Sequence, residues 1–311
     1  MRLRKPVSED VLRERLDVLV ETFDVSTIEP DPLQLVLRYG HPLDQEVAGL
    51  IAAAFAYGRA DIIVSNIGAL LDSMGPSPFA YLAAFDAQEG GKRFRGFSHR
   101  FHKTAELVAF LERIASVISE HGSLGELFRI CYDAEEPDIG PSLDRFVNAV
   151  IGRSGSRGRE VSRFRGARGL ATSRPRNPVP PKTAKTLEYL LSSPADGSAC
   201  KRMNLYLRWM VRRSAPDLGL WDFVDPAKLV IPLDTHVHRI ATFLGLNDRK
   251  SADWKTARLL TDRLARLDPA DPVRYDFALC RLGILDLCSR VRRKSNCDVC
   301  LLRDTCRFPV T

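Results

Sequence analysis

IPLDTHVHRIATFLG, Ile231 to Gly245, carries the signals that decide the fold class. Val237, Ile240, Ala241 and Leu244 recur at the three- and four-residue spacing of one helical face. Asp234 stands just before them, where a short carboxylate accepts the first unpaired amides of a helix. Gly245 stands just after, where the chain must turn left-handed to leave it. The stretch predicts a helix over 235–244 with an aspartate as its N-cap.

The same periodicity extends outward in both directions. Toward the C-terminus it predicts helices over Trp254–Leu267 and Tyr275–Leu287, the second opened by Asp271-Pro272. Upstream it predicts Thr186–Leu191, Lys201–Arg213, Phe146–Ile151 and Thr104–Glu120. Leu12, Leu16, Val20 and Phe23 line one face of a further helix over Val11–Phe23. Glu46–Tyr57 is apolar nearly all round and suits a central core helix. Asp61 reads as the N-cap of Ile62–Met74, which Gly75-Pro76-Ser77-Pro78 terminates. Strand-like alternation is scarce, so the expected class is all-α.

Between these runs the composition changes. Gly152 to Lys185 is rich in Arg, Gly, Ser and Pro, with Glu160 its only acid. Such a segment cannot bury enough apolar surface to offset the entropy of ordering it. It reads as a mobile basic insert, either an arm that contacts phosphates or a solvated linker. Over the whole chain Lys and Arg outnumber Asp and Glu by 46 to 39, a formal net charge of +7. Nucleic acid is therefore the first partner to expect. The N-terminal residues lack the apolar core of a secretory signal, and the longest apolar run, Val47 to Tyr57, is too short to span a bilayer. A cytoplasmic protein with no membrane partner follows.

Seven cysteines in a reducing compartment point to metal binding rather than disulfides. Cys131 and Cys280 read as small buried hydrophobes. Cys288, Cys297, Cys300 and Cys306 are different, for CSRVRRKSNCDVCLLRDTC spaces them C-x8-C-x2-C-x5-C. A C-x2-C pair can turn both sulfurs onto one centre, and two further cysteines complete a four-thiolate shell. That shell suits tetrahedral zinc as well as a [4Fe–4S] cluster. Arg290, Arg292, Arg293 and Lys294 lie between the first two cysteines. They form either a phosphate-binding surface held in shape by the metal or a solvated loop that offsets the charge of the thiolates.

Leu233-Asp234-Thr235-His236-Val237-His238-Arg239-Ile240, followed about fifty residues later by the cysteine loop, resembles the helix-hairpin-helix DNA glycosylase superfamily. The likeness is to the endonuclease III branch, with its C-terminal [4Fe–4S] loop. The stretch Glu46 to Met74, with Ala56-Tyr57-Gly58-Arg59-Ala60-Asp61 between two helices, is similar to the family's first barrel helices and the turn that enters the duplex. Ala195 to Asn204 matches its hairpin, with one of the two usual glycines retained, at Gly197. The interval from Lys201 to Asp234 is longer than in endonuclease III and resembles the archaeal 8-oxoguanine glycosylase branch. The first cysteine gap is two residues longer than the family's usual one.

The resemblance implies a two-lobed fold. Residues 30–225 would form a helical barrel with the hairpin, interrupted by the insert at about 152–185. Residues 1–29 and 226–311 would form a second helical domain carrying an iron–sulfur loop. It implies base excision repair in the nucleoid, acting as a monomer on double-stranded DNA that contains a lesion. Such an enzyme extrudes the damaged nucleotide, and Arg59 is the candidate wedge. Asp234 would stabilise the positive charge that develops on the sugar as the base departs. Lys201 falls where bifunctional members carry a nucleophilic lysine, whose neutral amine attacks C1′ and opens an AP-lyase route. Gly197, Ser198 and Ala199, at the start of the Lys201 helix, would offer backbone N–H groups to a DNA phosphate. The alternative is a non-catalytic DNA- or RNA-binding protein that keeps the helix-hairpin-helix body and a structural metal.

Overall fold

The computed structural model describes residues 7–153, 181–289, 291 and 294–307. In chain order the helices of the first half are α1 (Glu9–Thr22), α2 (Leu33–Val36), α3 (Pro42–Ala54), α4 (Ala60–Ser73), α5 (Pro78–Ala83) and α6 (Ala87–Arg93). A short antiparallel hairpin follows, β1 (Ser98–His99) with β2 (His102–Lys103), the only sheet among the described residues. Then come α7 (Thr104–His121), α8 (Leu124–Cys131), α9 (Gly140–Ile151), α10 (Pro181–Leu190) and α11 (Lys201–Val211). The last are α12 (Thr235–Leu244), α13 (Trp254–Ala265) and α14 (Asp276–Ile284). The chain is all-α. No helix among the described residues is long and apolar enough to cross a membrane.

Local chemistry sets most of these boundaries. Ser8, Ser77, Asp86, Ser123, Asp234 and Asp253 each accept an amide from the first turn of the helix they precede. Gly122 and Gly245 end α7 and α12 with positive φ, a conformation that costs a glycine little. Several boundaries depart from the sequence reading: α3 spans Pro42–Ala54 rather than Glu46–Tyr57, α9 begins at Gly140 rather than Phe146, and α10 begins at Pro181, inside the stretch expected to be a mobile insert. Asp61 is not the N-cap of α4; that position belongs to Arg59, and Asp61 lies inside the first turn. Its carboxylate takes the Arg59 guanidinium at 2.6 and 3.1 Å, and this pairing holds it below the usual carboxylate range. α14 stops at Ile284 rather than reaching Leu287, because Asp286 turns left-handed at φ 55°.

The chain forms two compact units. One comprises Met1–Gln34, Ala134–Ile139 and Asp196–Thr311; the other comprises Leu35–Asp133 and Gly140–Ala195. In the second unit α3 is buried along nearly its whole length, as its apolar sequence predicts. Its two buried acids cap other elements. Asp44 accepts from the Ser77 hydroxyl at 2.6 Å and the Phe79 amide at 3.0 Å, and Glu46 accepts from the Gly125 amide at 3.0 Å. α7 is the other centre, packed by α5, α6, α8, α9 and α10. In the first unit α12 lies along α14, and α1 covers α14.

α12 and α14 approach closely because Gly283 has no side chain. A Cβ there would stand 2.0 Å from His236 Nδ1 and 2.6 Å from His236 Cβ, too near for a rotamer change to relieve. Gly283→Ala is therefore expected to lower stability by about 1–3 kcal/mol through overpacking. In thermal melts His236→Ala should restore only part of the loss when combined with it, because the ring is then gone but the His236 Cβ position, 2.6 Å away, stays filled.

Candidate active site and cysteine loop

The segment before α11 is a tight, cross-braced loop. Gly197 adopts φ +75°, and its carbonyl accepts from the Trp254 amide at 3.1 Å while Ser198 bridges to Asp253. Cys200 is buried and left-handed at φ 48°, an uncommon conformation for a residue with a side chain. Its amide donates to the Ser198 hydroxyl at 3.2 Å, and Asn204 Nδ2 donates to the Ala199 carbonyl at 3.2 Å. The Ser198 hydroxyl and the Ala199 carbonyl thus hold the loop that starts α11 with Lys201.

Asp234 uses its two carboxylate oxygens differently. Oδ1 accepts the His236 and Val237 amides at 2.8 and 2.7 Å, the N-cap arrangement its position predicts. Oδ2 is turned away from the helix and accepts the Cys280 thiol at 3.4 Å. Cys280 is half-buried, and besides filling space its thiol reaches the Asp234 carboxylate, a contact the sequence did not reveal. Burial drives its thiol well above the ordinary range, the Asp234, Asp276 and Asp31 carboxylates add to that, and the Lys201 charge opposes it. Lys201 acts on Asp276 in the same sense. The cap of α12 and one face of α14 therefore meet at Cys280, and the Lys201 charge at the start of α11 acts on the same thiol as the Asp234 carboxylate.

Asp276, which acts on that thiol too, belongs to a network of buried charge that the sequence did not reveal. Arg208 donates to Asp217 at 3.1 Å and to Asp276 at 2.5 Å; Arg212 pairs with Asp217 and, at 2.9 Å, with Asp271. The Arg208, Arg212, Asp217 and Asp276 side chains are all less than 5% exposed. Burial works against the Arg208 charge, but Asp217 and Asp276 outweigh it and keep the guanidinium protonated. Burial pushes the Asp276 carboxyl up to about 7 against the attraction of Arg208, and Asp234 adds to the push. These residues lie 68 positions apart in the chain, between Arg208 and Asp276, so no spacing rule could have joined them.

Arg239, within the LDTHVHRI run, ties α12 to the cysteine loop. Its Nη2 donates to the Cys288 carbonyl at 2.6 Å and lies 3.3 Å from His236 Nδ1. Burial raises the Cys288 thiol and the Arg239 guanidinium lowers it. Burial also raises Cys300, with Cys288, Cys297 and Cys306 adding to the effect, so the four cysteines lie within one another's field. Among the described residues no three His, Cys, Asp or Glu side chains converge as the ligands of a single ion would. The loop is closed at both ends: the Cys288 amide donates to the Leu282 carbonyl at 2.8 Å and the Arg307 amide to the Phe243 carbonyl at 2.8 Å. His238 faces elsewhere, 3.2 Å from Asn247 Nδ2, as two positions along a helix require.

The remaining candidates divide between the units. Lys294 is exposed in the cysteine loop, while Arg290, Arg292 and Arg293 lie outside the described residues, as does the insert from 154 to 180. Arg59 belongs to the other compact unit, where its side chain is 80% exposed beside Asp61.

A family model described as a protein of unknown function, DUF2400, matches residues 31–285. No curated protein and no solved structure matches the chain.

Removing one member of the buried network strands its partners. Arg208→Ala leaves Asp217 and Asp276 buried with one cation fewer, and a loss of about 3–5 kcal/mol is expected in urea unfolding. An exposed pair such as Arg303 and Asp298, truncated in the same way, should shift the midpoint by no more than about 1 kcal/mol.

Proposed function

From the premise that the chain belongs to the DUF2400 family, whose description assigns no activity, we propose that it is a DNA glycosylase of the helix-hairpin-helix kind, with an AP-lyase step available through Lys201. One observation carries the reading. A lysine at the start of one helix and an aspartate capping another act on the same thiol, and one Asp234 oxygen is left over from capping.

Each residue then has a task. Oδ1 of Asp234 is occupied by two amides, which fixes the carboxylate rigidly. Oδ2 is the oxygen that would face the sugar and stabilise the positive charge growing at C1′ as the base departs. Lys201 passes a proton from its ammonium to the departing base, and the lone pair this leaves on Nζ attacks C1′ as the glycosidic bond breaks and its electrons leave with the base. Opening of the sugar gives an imine between Nζ and C1′. Loss of the C2′ proton then expels the 3′ phosphate by β-elimination. The substrate is double-stranded DNA with a damaged base turned out of the stack. Net charge +7 favours association with the phosphates.

The cysteine loop fits a four-thiolate metal centre by its donor set. Four cysteines share one field, and Arg239 supplies a cation beside the first of them. Cys288, Cys297, Cys300 and Cys306 would hold a [4Fe–4S] cluster, whose contribution is to hold the loop in one shape. Arg239 would transmit that shape to the helix capped by Asp234. A brown protein with broad visible absorbance is expected. A colourless protein with stoichiometric zinc would replace the cluster by a tetrahedral ion at the same cysteines.

Borohydride trapping tests the chemistry, using oligonucleotides that carry 8-oxoguanine, an oxidised pyrimidine, uracil or an abasic site. Lys201→Ala is expected to abolish the trapped adduct, and Asp234→Asn to slow excision by roughly 10²–10³-fold. Tight binding with neither excision nor adduct on any of these substrates would leave a non-catalytic nucleic-acid-binding protein instead.

A further inference from the structure

The hairpin β1–β2 presents a feature that neither the Lys201–Asp234 cluster nor the cysteine loop uses. Ser98 pairs with Lys103 and His99 with His102, which leaves Arg100 and Phe101 as a two-residue turn. Turns of this length favour Gly, Asn or Asp, because they demand positive φ. Here Arg100 holds φ 55° and Phe101 is 57% exposed. The Arg100 backbone costs stability, and a costly conformation at a rigid turn points to use.

The ring is held firmly in place. Phe101 stacks on Tyr57 with centroids 5.7 Å apart and planes 20° from parallel, and Tyr189 meets it edge-on at 4.9 Å. The Tyr57 hydroxyl lies 2.5 Å from His102 Nδ1, and Phe55 packs edge-on against both His99 and His102 from the core side. Tyr189 is itself 42% exposed, so the aromatic surface is wider than one ring.

Cations stand on the same hairpin and on the turn beside it. The Arg100 side chain lies over Gly58, where a Cβ would stand 3.5 Å from it, which brings the Gly58-Arg59 turn alongside the hairpin tip. Arg59 is exposed there, and Lys103 is anchored to the Ser98 hydroxyl at 2.7 Å. Asp61, which Arg59 engages, is the acid of that turn. A planar apolar surface set among positive charges matches a strand that offers both a base and phosphates. A base stacked on an aromatic ring is held without regard to its sequence, and the neighbouring cations hold the backbone.

We propose that Phe101 receives an unstacked nucleobase on its outer face, with Arg59 and Arg100 on the flanking phosphates. This rests on the nucleic-acid reading above but not on the Lys201 chemistry. The base can come from a single strand or from an unpaired position in a duplex.

The test uses the full chain and two DNA probes, each with a single 2-aminopurine: a single strand, and a duplex in which the 2-aminopurine is unpaired. Anisotropy gives affinity as a function of salt, and 2-aminopurine emission reports stacking. Phe101→Ala is expected to weaken binding to whichever probe uses the platform by roughly five- to a hundredfold. It should abolish the emission change without altering the salt slope, since no charge is removed. Phe101→Trp should restore both affinity and emission change. Arg100→Ala should lower the salt slope by about one.

Unchanged affinity and emission for Phe101→Ala on both probes would overturn the platform and leave the glycosylase reading standing. Failure of trapping on an abasic oligonucleotide by the unsubstituted protein bears on Lys201 alone and leaves the platform standing. Absence of DNA binding with Phe101-dependent partitioning onto anionic vesicles would overturn the proposal in favour of a lipid surface. Thermal melts of the variants guard against a folding defect, which an exposed turn residue is not expected to cause.

Discussion

Arg208 is the residue on which the unit containing Lys201 and Asp234 depends. Its guanidinium is buried and holds Asp217 and Asp276 together, and Arg212 closes the set by pairing with Asp217 and Asp271. A buried cation is tolerable only when its donors meet acceptors, so the positions of α11, α14 and the chain after α11 are fixed mutually rather than one at a time. Lys201 opens the helix that carries Arg208, and Asp276 opens the helix that carries Cys280 and Gly283. The charge network and the candidate site thus use the same two helices.

The second linkage runs through α12. Asp234 caps it, His236 packs on the bare backbone of Gly283, and Arg239 reaches the carbonyl of Cys288. Three residues of one helix thereby connect the candidate carboxylate, the packing of α12 on α14, and the cysteine loop. A change of shape in that loop has a direct mechanical route to Asp234. Such a route would give the proposed metal centre a part in a chemistry that needs no redox step.

In the other unit the organising constraint is again buried charge, with backbone amides as its partners. Asp44 and Glu46 lie inside on the buried helix α3, and each accepts an amide near the start of another helix. Their roles were hidden in the sequence because the acceptor and the helix it caps are separated by 35 and 79 positions. Of the aromatic stack at the hairpin, the sequence itself shows no more than Phe101 set among Arg100, His102 and Lys103. Its meaning depends on Tyr57 and Tyr189, which approach Phe101 from distant parts of the chain.

Helices were legible because their causes are local: apolar spacing, a capping Asp or Ser, a terminal Gly. Residues 235–244 were read to their exact ends, and Asp234 was recognised as a cap. The same local logic misplaced Asp61, since a carboxylate beside an arginine has a choice of partner that spacing does not decide. It gave no sign that the Cys280 thiol meets Asp234, 46 positions away. The sequence by itself determined the helical class, the capping of α12 and the four-cysteine pattern, all of which depend on residues within a few turns of one another. Tertiary structure alone decided that Lys201 and Asp234 act on the same thiol, that Asp276 and Arg208 are buried as a pair, and that Arg239 touches the cysteine loop. Those facts depend on which helix faces meet, and that is set by burial and by the pairing of charges far apart in the chain.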